Sequence, residues 1–458
     1  MESSGASSRG EGALATHYDM SHAPPNHSGA KVRAWWMVCV LTLAYTFAFI
    51  DRQVINLLVA PIKQDLSLSD TQMSLLMGLS FALFYTTLGV LIGRLADRRS
   101  RRTIAAGGFV VWSAMTAACG LAKSYGQLFL ARIGVGVGEA ALTPAAYSMI
   151  ADEFSSERRA TALGVYSSGI YIGSGLATYL GGTLVEAARD GEEFALPWIG
   201  SVRPWQLMFL TLGISGIVAA ILFATLREPK RRAPQSREGW SAVFAHYREH
   251  ARCLWTHHAG FALLSLAGYG SAAWIPTFLT RRHGWSPAKI GEVYGPIIAI
   301  AGISGVIVGG RIADLLKRRG IVDANMRVAL AAALLLAPLG LAFPLVDDSS
   351  VCACLLFAFT FASSLPWGVA AAALADTVPD RLRGQVSAIY LFAINAIGLG
   401  LGPTAIALMT DRVFGRESAL NLSLAWVVPI VEVAAALVLF SGLSAYRESV
   451  ARSRASRW

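Results

Sequence analysis

Apolar runs, each about eighteen residues or longer, recur from one end of this chain to the other. A helix of that length crosses a hydrocarbon layer of about 30 Å. Lipid cannot satisfy a free backbone amide, so a helix is the expected element in every run. Of the 458 residues, 54% are hydrophobic and 15% charged, whereas a soluble domain carries about 25% charged residues. So few charges cannot cover a water-facing surface. The runs predict spans near 35–60, 72–95, 103–122, 127–151, 160–187, 205–226, 257–280, 288–312, 326–346, 351–375, 385–410 and 418–445. The fold class expected is an all-α membrane protein of twelve transmembrane helices in two six-helix, pseudo-symmetric bundles.

Orientation follows from charge. With the N-terminus placed in the cytoplasm, 28 of the 39 Lys and Arg fall on the inner side and 9 on the outer side. Basic residues accumulate in cytoplasmic loops, so both termini are expected inside, in a plasma or inner membrane. The same bias accounts for the net charge of +10 without nucleic acid. The chain divides into a cytoplasmic tail without fixed structure (1–33), a first bundle (34–226), a linker (227–256), a second bundle (257–445) and a cytoplasmic tail (446–458). Residues 239–255 of the linker suit an amphipathic helix on the inner membrane surface, or a solvated loop.

No cofactor or metal set is legible. Cys39, Cys119, Cys352 and Cys354 lie in apolar segments and Cys253 in a basic loop, without zinc, haem or disulfide spacing. His246 and His250 are four apart but have no third ligand nearby, and they read as interfacial side chains. Gly134, Gly136 and Gly138 sit inside a span with no strand before them, so they indicate close helix packing rather than a nucleotide loop.

Ionisable residues inside spans are expensive and mark function by default. Asp51, Arg52, Arg132 and Glu139 form such a set in the first half. Arg132 and Glu139, seven apart, share one helix face. An arginine fork suits an anionic headgroup, and a carboxylate whose arginine partner moves during transport changes its proton affinity. The same four charges also suit a fixed network stapling spans one and four. Tyr269, Trp274, Tyr294, Trp367, Tyr390 and Asn395 are candidates for the second half's side of the cavity, where an aromatic wall would take an acyl chain. Glu432 in span twelve has no assigned role.

Gly93-Arg94-Leu95-Ala96-Asp97-Arg98-Arg99-Ser100-Arg101-Arg102 joins spans two and three. Gly310-Arg311-Ile312-Ala313-Asp314-Leu315-Leu316-Lys317-Arg318-Arg319 joins spans eight and nine, at the same place in its half. A repeated six-span unit marks a two-fold transporter. These loops resemble the signature of the major facilitator superfamily. Gly93, Asp97, Arg98 and Arg101, with Gly310, Asp314 and Arg318, then become gating residues that latch one conformation. Phe49-Ile50-Asp51-Arg52-Gln53, Ser69-Asp70-Thr71-Gln72, Arg132 through Ala140 and Pro144-Ala145-Ala146-Tyr147-Ser148 together resemble the Spinster branch.

That resemblance implies a monomeric secondary transporter moving lysophospholipid or sphingoid amphiphiles by alternating access, with protons as the coupling ion. A proton-linked carrier of small organic anions, such as sugar acids or drug-like compounds, is the second expectation. A receptor or scaffold on the same fold is the third. No nucleophile–base pair or metal set suggests an enzyme.

Overall fold

The computed structural model describes residues 27–96, 99–187, 194–197, 200–231 and 239–455. Most of the N-terminal tail (1–26), Asp97, Arg98 and residues 232–238 lie outside these. Among the described residues, ten helices are long and apolar enough to cross a membrane: Lys31–Leu57, Asp70–Gly93, Tyr125–Glu153, Pro204–Thr225, Ala251–His283, Pro287–Arg318, Ala324–Ala342, Ser349–Thr377, Arg381–Phe414 and Glu417–Ser453. Two further helices, Arg101–Cys119 and Ser156–Ala187, fill the third and fifth places. Basic residues in their first turns and small polar residues along their length lower their hydropathy. The described residues therefore form twelve long helices, and the chain is an integral, multi-pass membrane protein.

Helix packing repeats after six spans. Span one packs on five, two on four, and three on six. In the second half seven packs on eleven, eight on ten, and nine on twelve. The halves meet through two crossings that the same repeat exchanges, five with eight and two with eleven. At the first crossing the backbones touch. A β-carbon at Gly291 would lie 2.9 Å from Thr178 O, and one at Gly295 would lie 3.1 Å from Gly175 O. At the second, a β-carbon at Gly78 would lie 3.1 Å from Gly400 O. Glycine is required wherever two backbones come this close.

Several spans are interrupted for local reasons. Span four breaks after Glu139 and resumes at Leu142. Pro144 lacks the amide that would bond to the carbonyl of residue 140. Span eleven carries wide turns at Ile394–Leu399 and Met409–Phe414, on either side of Pro403. A short antiparallel pair, Phe194–Leu196 with Gly200–Val202, lies between spans five and six.

Three expectations are corrected. The second basic loop is not a loop up to residue 318, because span eight continues as helix to Arg318. Beyond the apolar stretch, Ala, Leu, Lys and Arg still favour helix. Span seven begins at Ala251, so Cys253 is a buried helix residue rather than part of a basic loop. The last helix runs through Leu420–Ala455, which makes most of the expected C-terminal tail helical, and Tyr446, Ser449 and Val450 are buried there.

Candidate functional site

Spans one and four carry four buried charges that form two pairs. Asp51 Oδ2 accepts from Arg132 Nη1 at 3.2 Å, and its Oδ1 accepts from Thr116 Oγ1 of span three at 2.9 Å. Arg52 grips Glu139 with two nitrogens, its Nε donating to Oε2 at 3.2 Å and its Nη2 to Oε1. Consecutive residues of span one thus answer two residues of span four. All four are at least 90% buried. Paired charges of opposite sign are the form in which such a set is tolerated away from water.

Aromatic rings surround the second pair. The Arg52 guanidinium carbon lies 4.8 Å from the centroid of Phe49, 4.6 Å from Phe81 and 4.8 Å from Tyr85. A ring face attracts a cation by about 0.5–2 kcal/mol, more where water is excluded. Tyr45 stacks on Tyr166 nearby, with centroids 4.5 Å apart. The three glycines of span four explain how this fits. Gly134 abuts Met115 and Gly138 abuts Gly108, both on span three, while a β-carbon at Gly136 would lie 2.6 Å from Phe81 O of span two. The bare helix face lets span two carry Phe81 up to the guanidinium.

The residues expected on the second half divide. Tyr269 and Trp367 are half-buried. Trp274 is fully buried and donates from Nε1 to Pro403 O at 2.9 Å, so it holds span seven to eleven and does not line a cavity. Tyr294 is buried on span eight. Tyr390 packs its ring on His257 and His258, at 5.2 and 5.8 Å. Asn395 spends its amide on Leu391 O within its own helix. Glu432 is buried on span twelve, and its Oε2 has no hydrogen-bond partner among the described residues.

The proposed gating residues also divide. Asp97 and Arg98 lie outside the described residues. Gly93 faces Pro144. Arg101 is buried and donates to Glu228 Oε1 at 2.8 Å, Ser148 Oγ at 3.0 Å and Pro229 O at 2.8 Å, and it also pairs with Asp152. It ties the start of span three to the end of span four and the start of the linker. Glu228 accepts from Ser100 Oγ, Arg101 Nε and the Arg102 amide. Burial alone would raise its carboxyl, but these donors outweigh burial and hold it below the usual glutamate range. On the second repeat Gly310 has open space around it, and Asp314 and Arg318 are exposed on the helix extension.

Two constellations escaped the sequence reading. On the side of the protein opposite the linker, Asp70 is wholly buried and takes both nitrogens of Arg281 and Lys63 Nζ. Glu417 accepts from Lys63 at 2.8 Å and from Arg281 at 2.7 Å. Asp411 accepts from the amide and hydroxyl of Thr71 at 2.8 and 2.7 Å. Lys63, Asp70 and Thr71 belong to the first half and Arg281, Asp411 and Glu417 to the second, so this network clasps the halves together. Ser69 and Gln72 cap the helix that presents Asp70. A recess of about 340 Å³ beside the clasp is lined by Asn56, Lys63, Thr277, Arg281 and Glu417, and not by the four central charges.

The second constellation joins the linker to the second half. The linker helix Trp240–Glu249 places Tyr247 OH 2.8 Å from His258 Nε2, His258 Nδ1 lies 3.3 Å from His257 Nδ1, and His257 Nε2 lies 3.1 Å from Ala370 O. Because Ala370 O only accepts, His257 Nε2 carries the proton. His257 Nδ1 then accepts from His258 Nδ1, and Tyr247 donates to His258 Nε2. The rings of His246 and His250 lie 4.5 Å apart, and Ser449 sits 2.8 Å from His250 Nδ1. Both are buried at a helix contact, which corrects their reading as interfacial side chains.

Comparison with known proteins agrees with this architecture. The chain is 30% identical, over 91% of its length and 94% of the relative's, to an MFS-type efflux pump of Mycolicibacterium smegmatis. It is 25% identical to a probable L-galactonate transporter of Escherichia coli, over 77% of this chain and 78% of the other. Among solved structures, a bacterial homologue of the human lysosomal transporter Spinster, in an inward-facing and unoccupied conformation, superposes with a TM-score of 0.73 at 28% identity. That match covers 93% of this chain and 99% of the other. The sequence profile of the Major Facilitator Superfamily matches residues 41–403, and the chain belongs to that family of transporters.

Proposed function

We propose that this transporter moves lysophospholipid- or sphingoid-type amphiphiles by alternating access, linked to protons, with the linker and both termini on the cytoplasmic side. The observation that carries the proposal is the buried Arg52–Glu139 pair set among Phe49, Phe81 and Tyr85. A proton arriving on the Glu139 carboxylate cancels its charge and loosens its hold on Arg52. The rings keep the guanidinium in place, and its fork becomes available to a phosphate or carboxylate headgroup. Return of the headgroup to water restores the pair and releases the proton. Tyr269 and Trp367 offer apolar surface for the chain of an amphiphile. With the basic side cytoplasmic, the clasp of Asp70, Lys63, Arg281 and Glu417 closes the outer side.

Small organic anions are the second reading, favoured by the likeness to a probable L-galactonate transporter. One experiment separates the two. Labelled lysophospholipid and labelled sugar acid are offered in turn to proteoliposomes, with and without a pH gradient, beside Glu139→Gln. Gradient-driven lipid movement that the variant loses is the expected result. Lipid movement indifferent to the gradient would remove the proton linkage. Movement of the sugar acid alone, by protein shown to be folded, would replace the substrate class.

A further inference from the structure

The linker helix Trp240–Glu249 presents three faces, one buried and two exposed stripes whose residues are four apart, so each lies on one side of the helix. Val243, His246 and Tyr247 are buried against the second half. Trp240, Phe244 and Arg248 form an exposed stripe that is aromatic and basic. Ser241, Ala245 and Glu249 form another that is small and acidic, mostly exposed. The hydrogen bond from Tyr247 to His258 fixes the rotation of the helix, so these faces are set rather than averaged.

The aromatic stripe continues a surface already given to lipid. Phe244 is 61% exposed, with its ring 6.2 Å from that of Trp240. Trp255, one turn into span seven and 58% exposed, lies 5.8 Å from Tyr247. A large exposed tryptophan at the start of a span marks the headgroup level of the bilayer. Arg248 and Arg252, both exposed, stand at the same level, and Arg252 also donates to Ser441 O at 2.9 Å. Apolar rings flanked by guanidinium groups suit the boundary between headgroups and acyl chains, with the cations on anionic phosphates.

We propose that the linker helix lies on the bilayer as an anchor for anionic lipid. Trp240, Phe244 and Trp255 dip below the headgroups, Arg248 and Arg252 hold anionic headgroups, and the Ser241–Ala245–Glu249 stripe faces water. The anchor rides on the second half, where it packs on spans seven and eleven, so it sets their height relative to the leaflet.

The test uses the full chain in vesicles at pH 8. A solvatochromic fluorophore is attached to Phe244→Cys in one preparation and to Ala245→Cys in another, with exposed Cys39 and Cys354 replaced by serine. Quenching is read from lipid brominated near the top of the acyl chain and from aqueous iodide. The probe at 244 should be quenched by the lipid and shielded from iodide, and the probe at 245 the reverse. Adding phosphatidylglycerol to phosphatidylcholine should strengthen lipid quenching at 244 several-fold, and Arg248→Glu with Arg252→Glu should abolish that gain. Equal iodide quenching at both positions would overturn the proposal, as would lipid quenching at 244 indifferent to phosphatidylglycerol. Because no arm depends on transport, failure here leaves the proposed function standing, and the reverse also holds.

Discussion

Arg281 closes on Asp70 with both terminal nitrogens, Nη1 to Oδ2 at 2.6 Å and Nη2 to Oδ1 at 2.8 Å. The two residues belong to different halves and lie 211 positions apart. A two-toothed arginine–carboxylate contact is the strongest geometry available to such a pair. It joins the end of span seven to the start of span two, beside the Thr71–Asp411 contact of spans two and eleven, so it has to open whenever that face of the protein opens.

Asp70→Asn should therefore shift the conformational balance toward the state open on the clasp side. Losing even 1–2 kcal/mol of the closed state moves a two-state ratio by about 5–30-fold. Spin labels on the clasp-side ends of spans two and eleven would show a longer distance gaining population. An unchanged distance distribution would mean that the glycine contacts, not the ions, keep this side shut.

Asp51 and Arg132 offer a test of structure against function. Asp51→Asn leaves the buried Arg132 without its counter-charge, which costs about 3–5 kcal/mol. Asp51→Leu combined with Arg132→Leu removes both charges and should recover most of the loss in thermal unfolding. If the double variant also transports, this pair is a staple and Arg52–Glu139 alone carries the chemistry. A stable double variant that does not transport would give the Asp51 pair a place in the cycle.

The linker helix should loosen in acid. Burial, with neighbouring His250 adding to it, pushes the His246 imidazole down to about 4. A free imidazole titrates near 6.5. The neutral form is therefore the docked form. Docking is fully present above about pH 6.5 and is lost as pH falls toward about 4. Hydrogen exchange in residues 240–249, corrected for intrinsic rates, should rise across that window, and His246→Gln should flatten the rise. A rise unaffected by the substitution would assign the effect to another group.

The spans were readable because length and apolar continuity are local properties of the chain. Pairing was not. Asp51 and Arg52 leave the helix about 100° apart, and depth alone does not say which of Arg132 and Glu139 each will meet. Tyr269 and Trp274 read alike as aromatic residues on one span, yet only packing reveals that Trp274 is spent on Pro403 O. The clasp was hidden because its charges sit at span ends, where a charge is cheap and draws no notice. Asp70 stood in a motif quoted for its resemblance, but its partner Arg281 had no local signal at all. His257 and His258 went unremarked because the basic residues before them disguised the start of span seven.

The crossing of spans five and eight has a mechanical consequence. Tyr171 packs its ring on Gly302 at one end of this crossing, but elsewhere Gly175 and Gly182 of span five meet Gly291 and Gly295 of span eight, backbone on backbone. Such a contact is a bearing rather than a zipper: the two halves can roll over it without first unlocking teeth. A bulky residue there would act as grit. Gly291→Leu should leave the protein folded enough to purify but confine it to one conformation, seen as a single spin-label distance where the native protein shows two. A variant that still samples both would place the axis of rocking elsewhere.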